Sequence, residues 1–303
     1  MTEKEERSVI WIAVVFLVVA VAGMGLVRRL YGTGEDTDGS NLASRVQEGF
    51  DTIDGTEMDI MIPLSGQEAD QFHFSESIRD KMLEVTLEDT PEDFFHQNRI
   101  KGNDKKIAQV FYLQNDEKAT LQFWLKDIYE AEFQVEGDNL CIRLEYPTEK
   151  WDKIVVLEGN AWTSQMVDQL AEEGIKGILS GDVDTANSLR ADVYLSLEVE
   201  SGTAEEAFGD RVPETEIIIY YNDDYFIPDF DSRTCAQLLC GCLSQEYGED
   251  HVSIKKTDEW DLEDAMIPAV RIVCSMWDDG AEKLEETIIR TVILHYQEKE
   301  EAQ

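Results

Sequence analysis

The sequence predicts an α/β domain with a mostly parallel sheet, preceded by an antiparallel β domain and an N-terminal transmembrane helix. Three observations carry that prediction. Residues 9–27 form an unbroken run of apolar residues and glycine. Residues 56–147 alternate apolar and polar side chains with the period of two expected of half-buried strands. Beyond Pro147 the pattern changes to short apolar strands separated by amphipathic helical stretches, the signature of βα units. The expected order is a short tail (1–8), an anchor (9–27), a flexible linker (28–55), a β-rich domain (56–147), an α/β domain (148–298) and a charged tail (299–303).

The run 9–27 approaches the ~20 residues a helix needs to cross a bilayer. It exceeds the roughly 7–15 apolar residues of a secretory signal, and the charges before it are mixed, so an uncleaved anchor is expected. The alternative is a cleaved signal, for which Ala20-Val21-Ala22 offers a cleavage site. Lys4 and Arg7 on one side balance Arg28 and Arg29 on the other, so charge leaves the orientation open. Residues 31–55 are rich in Gly, Asp, Ser and Thr, a composition that buries little apolar area and suits a tether.

In the β-rich part, strands are expected at 57–64, 81–87, 106–113, 119–125, 131–137 and 139–146, separated by Gly-Asn, Asn-Asp and Gly-Asp turns. In the α/β part they are expected at 153–157, 174–179, 191–199, 216–221, 251–256 and 268–274. A helix over about 163–173 places Met166, Val167, Leu170 and Ala171 on one face and is stopped by Gly174. Asp231 or Ser232 can cap a second helix, whose Cys235, Leu238, Leu239, Cys242 and Leu243 make one apolar stripe. A last helix from Ala281 packs Leu284, Ile288, Val292 and either His295 or Tyr296.

With 65 acidic against 26 basic residues, the net charge is −39, which argues against nucleic acid as a partner. The 5 cysteines (Cys141, Cys235, Cys240, Cys242, Cys274) cannot all pair and lack a paired CxxC spacing; Cys235 and Cys242, seven residues apart on an expected helix, read as small buried apolar side chains. The 4 histidines (His73, His96, His251, His295) are scattered, with no metal-site spacing. Asp223, Asp224, Asp229 and Asp231 lack the register of a calcium loop and fit a turn before a helix cap. No phosphate-binding loop, nucleophile elbow or dinucleotide fingerprint is present.

Ala186-Asn187 followed by ADVYLSLEVE at 191–200 resembles the metal-binding strand of the zinc-dependent N-acetylmuramoyl-L-alanine amidases, which cut peptide stems from peptidoglycan. In that family the pattern runs Ala-Asn, then Ala-Asp, two hydrophobic residues and Ser-Ile-His-Ala-Asn. WDKIVVLEGN at 151–160 is similar to the family's first strand, and 220–233 and 268–284 are similar to later strand-loop-helix units. The resemblance covers about 56–296, with an AMIN-like β domain ahead of the amidase-like domain.

The family holds zinc with two histidines and a glutamate and uses a second glutamate as general base. Carried onto this chain, the first histidine falls at Ala161, the second at Glu198 and the general base at Val273. The glutamate ligand lies in a stretch that is shorter here, where Glu158 is the one substitute. The resemblance therefore implies a non-catalytic member without zinc. Glu158, Trp162, Ser196 and Glu198 are its ligand-binding candidates. Peptidoglycan, or a cell-wall, division or sporulation protein, is the expected partner. The membrane is expected to be reached through the N-terminal helix, with the domains facing the cell wall. An active amidase and a purely structural envelope protein are the alternatives.

Alternation along 191–200 sets Val193, Leu195, Leu197 and Val199 on one face of the strand and Tyr194, Ser196 and Glu198 on the other. Glu198 is thereby expected at the upper rim of the sheet, where open α/β folds place their ligands.

Overall fold

The structure, a computed structural model, describes residues 45–64, 66, 72–91, 93–115, 118–159, 162–179, 181–201, 215–224, 230–258, 260–276 and 281–301. The expected anchor at 9–27 lies outside them. Among the described residues no helix is long and apolar enough to cross a membrane. Residues 43–303 form one compact unit.

The first half is a sandwich of two five-stranded sheets. One has the order β1 (Arg45–Glu48), β7 (Ile107–Asn115), β8 (Lys118–Leu125), β5 (Met82–Leu87), β4 (Phe72–Ser77). The other has the order β2 (Asp51–Thr52), β6 (Lys101–Gly102), β3 (Ile60–Pro63), β10 (Asn139–Glu145), β9 (Glu130–Glu136). Pairing is antiparallel throughout, except between β2 and β6. Inward residues at every second position (Leu83, Val85 and Leu87; Leu121 and Phe123; Ile60 and Ile62; Leu140, Ile142 and Leu144) close one shared core.

Two differences from the sequence expectation stand out. The tail of the expected linker is sheet, since β1 and β2 use backbone pairing that a polar composition does not forbid. Strand β4 was not expected, because as an edge strand most of its side chains are exposed and it shows no inward stripe.

A buried carboxylate ties this sandwich together. Asp59 is 1 % exposed, and its oxygens accept from Asn103 Nδ2 at 2.7 Å, Lys106 Nζ at 2.9 Å and the Leu144 amide at 2.8 Å. Lys106 also donates to the Leu144 carbonyl. Every charge buried here has a partner, as its desolvation demands.

The second half is a six-stranded sheet with the order β12 (Lys176–Leu179), β11 (Ile154–Glu158), β13 (Val193–Ser201), β16 (Ala269–Met276), β14 (Glu216–Tyr221), β15 (Val252–Lys256). It is mostly parallel, with β14 and β16 the antiparallel pair. One face packs on helices α1 (Ser164–Glu172), α3 (Ser232–Tyr247) and α4 (Ala281–Glu301). The other carries α2 (Val183–Leu189), a helix not expected from the sequence, and a single 3-10 turn at Trp260–Asp264.

Asp231 caps α3, its carboxylate accepting from the Thr234 amide at 2.7 Å. Cys235, Leu239 and Leu243 of the expected stripe are buried, while Leu238 and Cys242 are half-buried at its margin. In α4 Tyr296 is buried along with Leu284, Ile288 and Val292, and half-buried His295 stacks on Phe230 with ring centroids 4.1 Å apart. That helix runs to Glu301, so the expected charged tail from 299 begins as helix.

The sandwich and the α/β half are clamped. Glu130 of β9 accepts from Lys176 Nζ at 2.8 Å and Trp151 Nε1 at 2.9 Å, and Arg79 pairs with the α2 cap Asp182 at 3.2 Å. Ile78 and Ile128 of the sandwich pack into the core around α2.

Candidate functional site

Why the rim residues sit together follows from strand register. Strand β13 lies between β11 and β16, so Ser196 is flanked by Glu158 on one side and Arg271 on the other, with Tyr220 beyond Arg271. One step toward the C-terminal ends, Glu198 is flanked by Val273, with Ile218 beyond it. Side chains of paired residues share a face, so a carboxylate, a hydroxyl, a guanidinium and a phenol form one row and Glu198, Val273 and Ile218 the next. Val193, Leu195 and Leu197 point the opposite way into the helix-covered core, as alternation requires.

Each candidate has a definite place. The Glu158 carboxylate accepts from the Tyr194 hydroxyl; Tyr194 itself is 1 % exposed and packs on the α2 side. Ser196 is buried. Glu198, half-exposed, receives Arg271 Nη2 on one carboxylate oxygen at 2.5 Å. Trp162 does not join them: it is buried in the core on the other face of the sheet, and its Nε1 donates to the Glu158 carbonyl at 2.8 Å. Its role is to hold the end of β11. Ala161 lies outside the described residues.

Gly159 explains how β11 can leave the sheet just after Glu158. Its φ is +121°, and a Cβ there would stand 2.2 Å from the Leu197 carbonyl oxygen of β13. Only glycine combines that conformation with that approach.

The Ala186-Asn187 pair acts as a clamp. Asn187 donates to the Asp264 carbonyl at 2.9 Å and accepts from the Met266 amide at 2.8 Å, fastening α2 to the turn before β16. Asp192, next to it in the motif, accepts from the Ile154 amide at 2.8 Å, and burial pushes its carboxyl above the usual range.

The described donors at the rim do not suit zinc. Zinc sites are built from imidazole and thiolate with few carboxylates, whereas here the two described carboxylates, Glu158 and Glu198, are taken up by a phenol and a guanidinium. Val273 offers no base where the resemblance puts the general base. Among the described residues no three His, Cys, Asp or Glu side chains converge in a way that could hold a metal ion. His73 and His96 are exposed on the sandwich, and His251 contacts the Thr215 carbonyl.

Cys235 and Cys274 are not suited to act as nucleophiles. Burial pushes the Cys235 and Cys274 thiols up to about 12, far from the thiolate form. Asp223 and Asp224 both pair with Lys256 and Asp231 caps α3, while Asp229 lies outside the described residues.

What the sequence reading missed at the rim is Arg271. Its position in an alternating strand could be read, but its partner lies 73 residues away and depends on β13 and β16 being neighbours.

No family model matches the sequence, and no curated protein matches it. Solved structures similar to it include amidases. The catalytic domain of CwlV, an N-acetylmuramoyl-L-alanine amidase from Bacillus (Paenibacillus) polymyxa var. colistinus, has a TM-score of 0.36 and 14% identity, covering 50% of this chain and 99% of that one. An N-acetylmuramoyl-L-alanine amidase from Clostridium difficile 630 has 0.35 and 15%, covering 48% and 97%. The CwlD amidase from Clostridioides difficile, solved in complex with the GerS lipoprotein, has 0.31 and 13%, covering 50% and 100%. At such TM-scores the fold assignment rests on the strand order and registers above, not on these neighbours.

Proposed function

We propose that this chain is a non-catalytic, amidase-like envelope protein that binds peptidoglycan or a wall-remodelling protein without hydrolysing it. One observation carries the reading. Glu198 and Val273, the positions that the sequence resemblance assigns to a zinc ligand and the general base, are cross-strand neighbours, and both have lost that chemistry. A zinc amidase works by lowering the pKa of a bound water far enough for it to ionise near neutral pH and by taking its proton. An ion-paired glutamate and a valine do neither. Zinc binding is therefore not part of the proposal, and the rim serves recognition.

The proposed setting is a single-pass anchor at 9–27, with the sandwich and the α/β half facing the cell wall. The tight clamp between the halves supports their acting as one recognition unit. The experiment is co-sedimentation of the full-length protein with insoluble peptidoglycan, followed by analysis of the supernatant. Retention with no release of stem peptides agrees with the proposal. Release of stem peptides would establish an active amidase instead, and no retention would favour a structural role or a protein partner.

A further inference from the structure

We propose that Arg271 anchors a carboxylate-binding site on the sheet rim, and that Glu198 occupies this site as an internal competitor. The proposal rests on the reading that the rim is the ligand-facing surface, and it adds the chemical class of ligand.

The geometry begins with position. Arg271 sits in the middle of the rim row, with Ser196 and Tyr220 paired to it on either side. Neighbouring strands are ~4.8 Å apart, so a hydroxyl and a phenol stand one strand away from the guanidinium on the same face. All three groups can donate hydrogen bonds, and a guanidinium and hydroxyls together suit a planar anion with two acceptor oxygens. Val273 and Ile218 in the next row add an apolar floor for the part of a ligand beyond its carboxylate.

Glu198, one of the partners of Arg271, is suited to displacement. The Arg271 side chain is 24% exposed, whereas that of Glu198 is 49% exposed, so the acid can swing to water at little desolvation cost while the guanidinium stays held. An ion pair with one partner largely in water is held weakly enough for a ligand with additional contacts to displace it. A flexible side-chain carboxylate lying on the guanidinium also shows directly which ligand chemistry this position accepts. A guanidinium is a permanent cation and needs no metal donors, in keeping with a rim whose carboxylates are already engaged.

The test uses the full-length protein with N-acetyl-alanine as the carboxylate probe and N-acetyl-alaninamide as its uncharged twin, followed by ligand-observed NMR titration. The acid is expected to bind saturably and the amide not. Glu198→Gln removes the competitor and should tighten binding about three- to fivefold. Arg271→Lys should weaken binding and Arg271→Met abolish it, with circular dichroism to show that each variant is folded. Should the Met variant fail to fold, the Glu198→Gln result decides, since that site is exposed. Equal binding of acid and amide, or no gain on Glu198→Gln, would overturn the proposal. Such a failure would leave the non-hydrolytic reading untouched, because that reading depends on zinc and stem-peptide release and not on this probe.

Discussion

Arg271 Nη2 and Glu198 Oε2 meet at 2.5 Å between two neighbouring parallel strands, 73 residues apart in sequence. As a partly solvated pair it should contribute modestly to the fold. A double-mutant cycle with Glu198→Gln and Arg271→Met, followed by urea unfolding, should give a coupling of at most about 1 kcal/mol. A coupling of several kcal/mol would mean that the pair is a structural element and not a rim available to ligands.

Gly159→Ala should destabilise the protein by about 1–3 kcal/mol or more, because the added methyl meets the Leu197 carbonyl and the backbone there has positive φ. Thermal unfolding reads this directly. An unchanged melting temperature would show that β11 can leave the sheet by another path.

Lys106→Met leaves the buried Asp59 carboxylate with only the Asn103 side chain and the Leu144 amide. A loss of about 2–4 kcal/mol is expected, less than for a fully buried pair because Lys106 is partly solvated. Adding Asp59→Asn to it should recover part of the loss. If the double variant is simply the sum of the two single ones, the two groups do not act as a pair.

Acidification should weaken the fold through His295. Burial holds its imidazole below the ordinary 6.5, Lys299 adds to the effect and Glu298 opposes it. The folded chain thus binds this proton less readily than the unfolded chain. Its contribution is complete above about pH 6.5 and is lost as the pH falls below that value toward the lower folded pKa. His295→Phe, which keeps the stacking on Phe230, should flatten the dependence of melting temperature on pH in that window; an unaltered slope would count against this assignment.

Strands whose inward residues meet a core were legible in the sequence. Strand β14 falls on the expected 216–221, and β8 shows its core at Leu121 and Phe123 because burial on one face imposes a period of two. Strand β4 was hidden, since Phe74 lies exposed and stacks on Phe133 instead of entering a core. Helix α2 was hidden because its seven residues are too few to show a helical period. Only its Asp182 cap, which accepts from the Thr185 amide and hydroxyl, marks it.

At the rim, alternation was enough to put Ser196 and Glu198 on one face. The contact with Arg271 and the burial of Trp162 on the opposite face are products of sheet order and chain crossing, which no local pattern encodes.

The proposal that the rim is amidase-like but without metal chemistry is tested most directly by the zinc content of the purified full-length protein. Elemental analysis after dialysis against zinc should find far less than one ion per chain, and chelator should leave the melting temperature unchanged. One tightly held zinc per chain, with a fall in melting temperature when it is stripped, would contradict the account.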